Sequence, residues 1–191
     1  FLLFRCAPMP TQTPSFTTPP VTLPALLVNP GFEEPASEGE IPGWVSTGSK
    51  SAVLLETKGH ASDFRLTHKG TEAYLVDTTQ VATGLANDWY TLKAWMRSSG
   101  GQDAVYLALQ CGAEEKRVYV PSTSPGYRWI QLVVSDQVVD NQCTIRLHSE
   151  GPAETWASFD DIELVPGRAV LTVLGADISS LKKSEDLGGS Y

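Results

Sequence analysis

The chain has 191 residues, 41% of them hydrophobic and 9% aromatic, with a formal net charge of −8. That length supports one hydrophobic core with extensions. The acidic balance, with no basic stripe to neutralise phosphates, excludes nucleic acid and anionic membrane surfaces as partners and favours a neutral or cationic one.

The opening "FLLFRC" is an apolar run ending at Cys6. It reads as the tail of an export signal over residues 1–6, in which Cys6 is either a lipidated anchor residue or part of an ordinary signal remnant; a plain disordered terminus is the third possibility. Arg5 stands where a lipoprotein site calls for a small residue. No stretch of about 20 apolar residues follows, so no transmembrane span is expected. Residues 7–25 are a spacer: "APMPTQTPSFTTPPVTLP" holds six prolines and five threonines, a composition that stays extended and builds no core.

From residue 26 to residue 166 the pattern is one of short alternating runs separated by Gly, Pro, Asn and Asp clusters. In "WYTLKAWMR" Tyr90, Leu92, Ala94 and Met96 fall on one face, and Trp89, Thr91, Lys93, Trp95 and Arg97 on the other. Period two marks a strand with one wet side. The same arithmetic holds for "AVYLALQC", "IQLVV" and "CTIRLHS". About ten such strands with no helical stripe predict an all-β, antiparallel two-sheet sandwich of the jelly-roll kind. Cys111 and Cys143 both take the inward phase, so either they form a disulfide or they are two small buried groups that never meet.

Two constellations carry candidate chemistry. Along "WASFDDIEL" the residues Trp156, Ser158, Asp160, Ile162 and Leu164 share a phase, which puts the Asp160 carboxylate on the apolar side, where it needs a cation or several donors. Glu33, in "NPGFEEP", lies at the other end of the domain's sequence, and terminal strands of a jelly roll often run side by side. Glu33 and Asp160 are therefore candidate oxygen ligands for a structural Ca²⁺; the alternative is an Asp160 bonded to backbone amides and an exposed Glu33. The second constellation is the wet side of the strands: Trp95 and Arg97, Tyr106 and Gln110, Arg146 and His148. Aromatic faces stack on the C–H surface of a sugar while Arg, Gln and His reach its hydroxyls, and neutral glycans are bound in that way. Trp44, Trp129 and Trp156 read as core or rim packing, with Trp156 also placed to line a sugar site. No nucleophile elbow, paired metal-spacing histidines or phosphate loop is present.

"LVNPGFEEP", "TTQVATGLANDWYTLKAWMRSSGG", "CGAEEKRV", "NQCTIRLHSEG" and "WASFDDIEL" together resemble the family 61 carbohydrate-binding modules, over about residues 26–166. The resemblance implies a jelly roll that binds β-1,4-galactan or arabinogalactan, and a calcium at Glu33 and Asp160. Asn87-Asp88-Trp89 departs from it, since such modules carry an Asn-Gly turn there. At residue 169 the pattern changes to the continuous apolar run "AVLTVLGAD", which suits a strand buried on both faces, and then to "SSLKKSEDLGG", a short capped helix. "LGADISSLKKSEDLGGSY" resembles the start of the catalytic domain of glycoside hydrolase family 53, the arabinogalactan endo-β-1,4-galactanases. The resemblance implies a retaining (β/α)₈-barrel enzyme whose first βα unit is residues 169–191, with Asp177 at the strand's C-terminal end as a candidate pocket residue. The catalytic glutamates of that family come from later strands, so the 191 residues are expected to bind and not to cleave. The parent is expected to be a secreted or cell-surface bacterial enzyme.

Overall fold

In the computed structural model, residues 26–34 and 40–169 are described. The signal remnant with Cys6, the spacer 7–25 and the barrel-like residues from 170 on, Asp177 among them, lie outside the described residues.

Ten strands form the domain: β1 (Val45–Gly48), β2 (Val53–Thr57), β3 (Phe64–Lys69), β4 (Tyr74–Thr83), β5 (Trp89–Ser98), β6 (Ala104–Gln110), β7 (Lys116–Tyr119), β8 (Ile130–Gln137), β9 (Gln142–Gly151) and β10 (Trp156–Pro166). A single 3₁₀ turn, Lys50–Ala52, is the only helical element among the described residues. The strands make two five-stranded sheets, ordered β1-β4-β9-β6-β7 and β2-β3-β10-β5-β8, and every pairing is antiparallel. The expected all-β sandwich is thus what the chain builds.

The core lies between the sheets and follows the period-two reading. Leu92, Ala94 and Met96 of β5 face Leu107 and Leu109 of β6 and Ile145 and Leu147 of β9, all without solvent contact. Burying such side chains is worth roughly 1.5–3 kcal/mol each. Cys111 and Cys143, in the same inward phase, are joined as a disulfide across 32 residues.

The segment before β1 is pinned to this core by its own turn. Asn29 and Phe32 both take left-handed backbone angles (φ 47° and 57°), and the Phe32 amide donates to the Asn29 carbonyl at 3.2 Å. The turn "NPGF" thereby drives Phe32 fully into the core, 5.4 Å from the ring of Trp44, whose Nε1 donates to the Asn29 carbonyl. A bulky residue in the left-handed region is strained, and the buried ring offsets that strain. The same turn leaves Glu33 exposed at the end of the sandwich, beside β10, where the Ile162 amide donates to the Pro30 carbonyl at 2.9 Å.

β10 departs from the sequence reading. Its register against β5 shifts between Asp160 and Glu163, and Asp161 sits at φ 46°. This is a β-bulge, and a bulge changes which side later residues face. Ala157 and Phe159 point inward before it, Ile162 and Leu164 after it. Trp156, Ser158 and Asp160 therefore face outward, opposite to Ile162 and Leu164, and the single shared phase expected for all five does not exist.

Candidate functional site

The outward side of the sheet β2-β3-β10-β5-β8 gathers most of the partly exposed aromatic rings among the described residues. Register places Arg97 beside Ser158 and Trp95 beside Asp160 on one side, and Trp95 beside Gln131 on the other. Trp129 precedes Ile130, the partner of Met96, so it falls next to Arg97. The Arg97 guanidinium carbon lies 4.6 Å from the Trp129 ring centroid and 5.6 Å from that of Trp156. Tyr127 packs against Trp156 at 5.1 Å. The result is a row of indoles with a cation between two of them.

Three of the cations on this face are held in ion pairs. Arg65 binds Glu56 at 2.9 Å, Lys93 binds Glu163 at 2.9 Å, and Lys69 binds Glu154 at 3.1 Å. Arg97 has no carboxylate partner among the described residues, and its Nε is buried without a hydrogen bond. Burial, and secondarily repulsion from Arg65, lowers its pKa, with Glu56 opposing. A guanidinium held between indole faces with its donors unspent can fork onto ligand oxygens.

A loop of residues 58–63 caps one end of the row. Arg65 holds its start by donating to the Thr57 and Lys58 carbonyls. Glu33 holds its end, accepting from the Asp63 amide at 3.3 Å and the Phe64 amide at 2.9 Å. Asp160 lies beneath it, wholly buried, and accepts from the His60 amide at 2.6 Å, the Ser62 hydroxyl at 3.0 Å and the Asp161 amide at 2.8 Å. Burial pushes the Asp160 carboxyl up, and the amide and hydroxyl donors oppose that without cancelling it. Gly59 makes the seating possible, since a Cβ there would run into the Phe64 carbonyl, Ser62 Oγ and Asp160 Oδ2. Asp160 is thus buried by a loop on the outer face and not by the inter-sheet core.

The six residues of the expected wet side do not form one surface. Trp95 and Arg97 stand on the face just described. Tyr106, Gln110, Arg146 and His148 belong to β6 and β9, on the outward side of the other sheet, and the sandwich core separates the two groups. Alternation tells which residues point outward from a strand but not which sheet the strand joins. On that second face the polar groups satisfy one another. Asp77 accepts from His148 Nδ1 at 2.9 Å and pairs with Arg146 at 3.2 Å, Glu115 pairs with Arg146 at 2.8 Å and with Arg117 at 2.6 Å, and Tyr106 stacks on His148 at 4.3 Å. Burial raises the Asp77 carboxyl, yet the hydrogen bonds from His148 and Arg146 outweigh it and hold it below the usual range. Gln110 donates back to the Gly112 carbonyl. The Asp77 and Glu115 carboxylates are thus held by the cations of that same face.

Sequence reasoning missed Trp129, Tyr127 and His60 as members of the aromatic face. Trp129 and Tyr127 precede a strand and His60 sits in a loop, so Tyr127 and His60 carry no periodicity signal. Only the odd phase of Trp129 relative to "IQLVV" was available to point outward.

No protein-family model matches the chain, and no curated protein does either. Solved structures do. The structure of TmCBM61 in complex with β-1,4-galactotriose is 24% identical, covers 76% of this chain and all of its own, and superposes with a TM-score of 0.62. The enzymatically active domain of bacteriophage CBA120 tailspike protein 4 covers 75% of this chain and 21% of its own at 10% identity, with a TM-score of 0.57. A family 16 carbohydrate-binding module covers 73% of this chain and 99% of its own at 15% identity, with a TM-score of 0.50. The likeness is one of fold: the described domain is a two-sheet β-sandwich of the architecture found in carbohydrate-binding modules.

Proposed function

We propose that this domain binds β-1,4-galactan, and that it is the N-terminal module of an exported arabinogalactan endo-β-1,4-galactanase. One observation carries the binding role: Trp129, Trp156, Tyr127 and the unpaired Arg97 lie together on one outer face. Indole faces offer stacking to the C–H side of a pyranose, and Arg97 offers donors to its hydroxyls. The fold shared with a module solved with galactotriose and the sequence resemblance over residues 26–166 support galactan as the sugar. The closed Cys111–Cys143 disulfide fits an oxidising, extracytoplasmic location. So does the reading of residues 1–6 as a signal remnant, with Cys6 as a possible lipid anchor. Among the described residues no helix is long and apolar enough to cross a membrane.

The enzyme assignment rests on the resemblance of residues 169–191, with Asp177, to the first barrel unit of family 53. In that reading the catalysis belongs to two glutamates outside this sequence, about 5 Å apart as retention requires. The role of this domain is to hold the enzyme on polymer and raise the local substrate concentration.

Calcium is proposed at the loop-capped end. Glu33, Asp160 and Asp161 surround Gly31: a Cβ there would lie 3.7 Å from Asp161 Oδ1, 3.8 Å from Glu33 Cγ and 4.0 Å from Asp160 Oδ1. Asp160 Oδ1 has a single donor, the Asp161 amide, and a cation would relieve the burial cost that now raises its pKa. Among the described residues no group of three or more His, Cys, Asp or Glu side chains is set to hold a metal, so backbone carbonyls would complete the shell. Thermal unfolding that shifts down on chelation, and a shift abolished in Asp160→Asn, are the expected results; identical melting with and without EDTA removes the ion from the picture.

Affinity electrophoresis on galactan, xylan and mixed-linkage glucan tests the sugar. Retardation on galactan is expected. Preference for xylan or β-glucan makes this a module of other specificity, and binding to none of the three favours a cell-surface adhesion role.

A further inference from the structure

Four acidic or basic side chains fasten loop 58–63: Arg65 at its start, Glu33 at its end, Asp160 beneath and Asp161 at its tip. What this fastening positions is His60. Its imidazole lies flat on the indole of Trp95, with ring centroids 3.9 Å apart and planes 13° from parallel. It also meets Trp129 edge-on, at 5.8 Å and 73°. Nδ1 is 2.8 Å from Asp161 Oδ2. A carboxylate there can only accept, which makes Nδ1 the donor and leaves Nε2 of the neutral ring as an acceptor. Nε2 has no partner among the described residues, and 24% of the side chain remains exposed.

This changes the job of Trp95. Its outer ring face is covered, so the indole is a floor under the imidazole and not a plate for a sugar. The free surface beside it includes Trp129, the Arg97 donors, the Nε2 acceptor and the exposed Gln131. A sugar hydroxyl both donates and accepts, whereas Arg97 can only donate. A face built from Arg97 alone would leave the hydroxyl hydrogens unmatched.

The geometry points to His60 as a specificity-determining residue of the glycan face. Held over Trp95 by Asp161, it accepts a hydroxyl hydrogen from the sugar unit carried on Trp129 while Arg97 donates to an oxygen of the same unit. The inference rests on the reading that this face takes a neutral glycan. The ligand class it selects is one whose hydroxyls can donate sideways past a stacked ring, and a unit with a methyl ether or a deoxy carbon at that position is rejected.

Calorimetric titration with β-1,4-galactotriose, together with tryptophan emission in the absence of sugar, tests it on His60→Ala and His60→Gln. In His60→Ala the affinity falls about tenfold, as expected for one lost hydrogen bond, and the emission changes because Trp95 is uncovered. In His60→Gln the side-chain carbonyl supplies the acceptor, and affinity stays within about threefold of wild type, a rescue that a merely structural role would not produce. Affinity of His60→Ala equal to wild type, or His60→Gln as weak as His60→Ala, overturns the inference. Should His60→Ala fail to fold, Asp161→Gly decides: it suits the left-handed backbone, keeps the imidazole and removes its anchor, and undiminished affinity in that variant overturns the inference. A wild-type protein that ignores galactotriose but binds another neutral oligosaccharide sinks the galactan reading alone, and the ratio of His60→Ala to His60→Gln on that sugar then decides the role of His60.

Discussion

Trp129 and Arg97 show what a residue does when its neighbours leave it unfinished. Arg97 is bracketed by two indoles, and its Nε has no hydrogen bond. Replacing Trp129 with alanine removes a stacking plate and one wall of that bracket. Affinity for galactotriose should drop at least tenfold by calorimetry, with each factor of ten worth about 1.4 kcal/mol. Arg97→Lys should not restore what Arg97→Ala loses, because an ammonium lacks the planar fork that lies between the rings. His68 is an interior case: its Nδ1 too is buried without a hydrogen bond, but no solvent or ligand reaches it. It is wholly buried, its Nε2 is 2.9 Å from Thr78 Oγ1, and burial first, then His148, lowers its pKa to about 3, with Asp77 opposing. Unfolded, it would take up a proton near its ordinary value of 6.5. The unfolded state therefore binds the extra proton, and stability present above about pH 6.5 is lost as pH falls toward 3. Urea unfolding at pH 7 and pH 4.5 should show that loss, and His68→Leu should reduce it; an equal loss in the variant would place the acid sensitivity elsewhere.

At the scale of elements, the bulge in β10 organises the site. Without it Asp160 would lie in phase with Ile162 and point into the core. With it, Asp160 turns outward to carry loop 58–63 and Asp161 is aimed at His60. A β-branched residue at the left-handed position of Asp161 meets the steric penalty of that region, roughly 1–2 kcal/mol. Asp161→Val should therefore lose stability in chemical denaturation as well as sugar affinity. The outer face of the other sheet gives the converse prediction. Arg146 is held by Asp77 and Glu115, so Arg146→Ala should lower stability because two partly buried carboxylates each lose one of their partners, Asp77 keeping His148 and Glu115 keeping Arg117, while galactan binding stays unchanged. Loss of binding without loss of stability would return Tyr106, Gln110, Arg146 and His148 to the ligand site.

At the scale of the molecule, stability rests on the inter-sheet core, the disulfide and the pinned ends. The bridge closes a loop of 32 residues, and chain-entropy reasoning assigns such a closure about 4 kcal/mol. Reduction should lower the melting temperature by roughly 10 °C for a domain of this size. A reduced protein that melts with the oxidised one would show that the packed sheets alone fix residues 111 to 143. The aromatic face draws on β5, β8, β10 and loop 58–63, so its assembly depends on the whole sandwich being closed.

The sequence by itself determined the class of fold. Period-two alternation in β5, β6, β8 and β9 fixes which side chains are inward, because a strand admits only two faces, and the inward phase of Cys111 and Cys143 was enough to propose their bond. It also singled out Trp95, Arg97, Glu33 and Asp160 as residues with chemistry to account for. Tertiary structure decided how they combine. Alternation is silent on which sheet a strand enters, so Tyr106 and Arg146 were grouped with Trp95 although a core lies between them. One added residue in β10 reversed the side on which Asp160 stands; the break in phase between Ala157 and Phe159 before it and Ile162 and Leu164 after it does not by itself say which of the intervening acids turns outward. His60 and Trp129 join the site through loop closure and cross-strand register, interactions between residues 30 to 100 positions apart that no local pattern encodes.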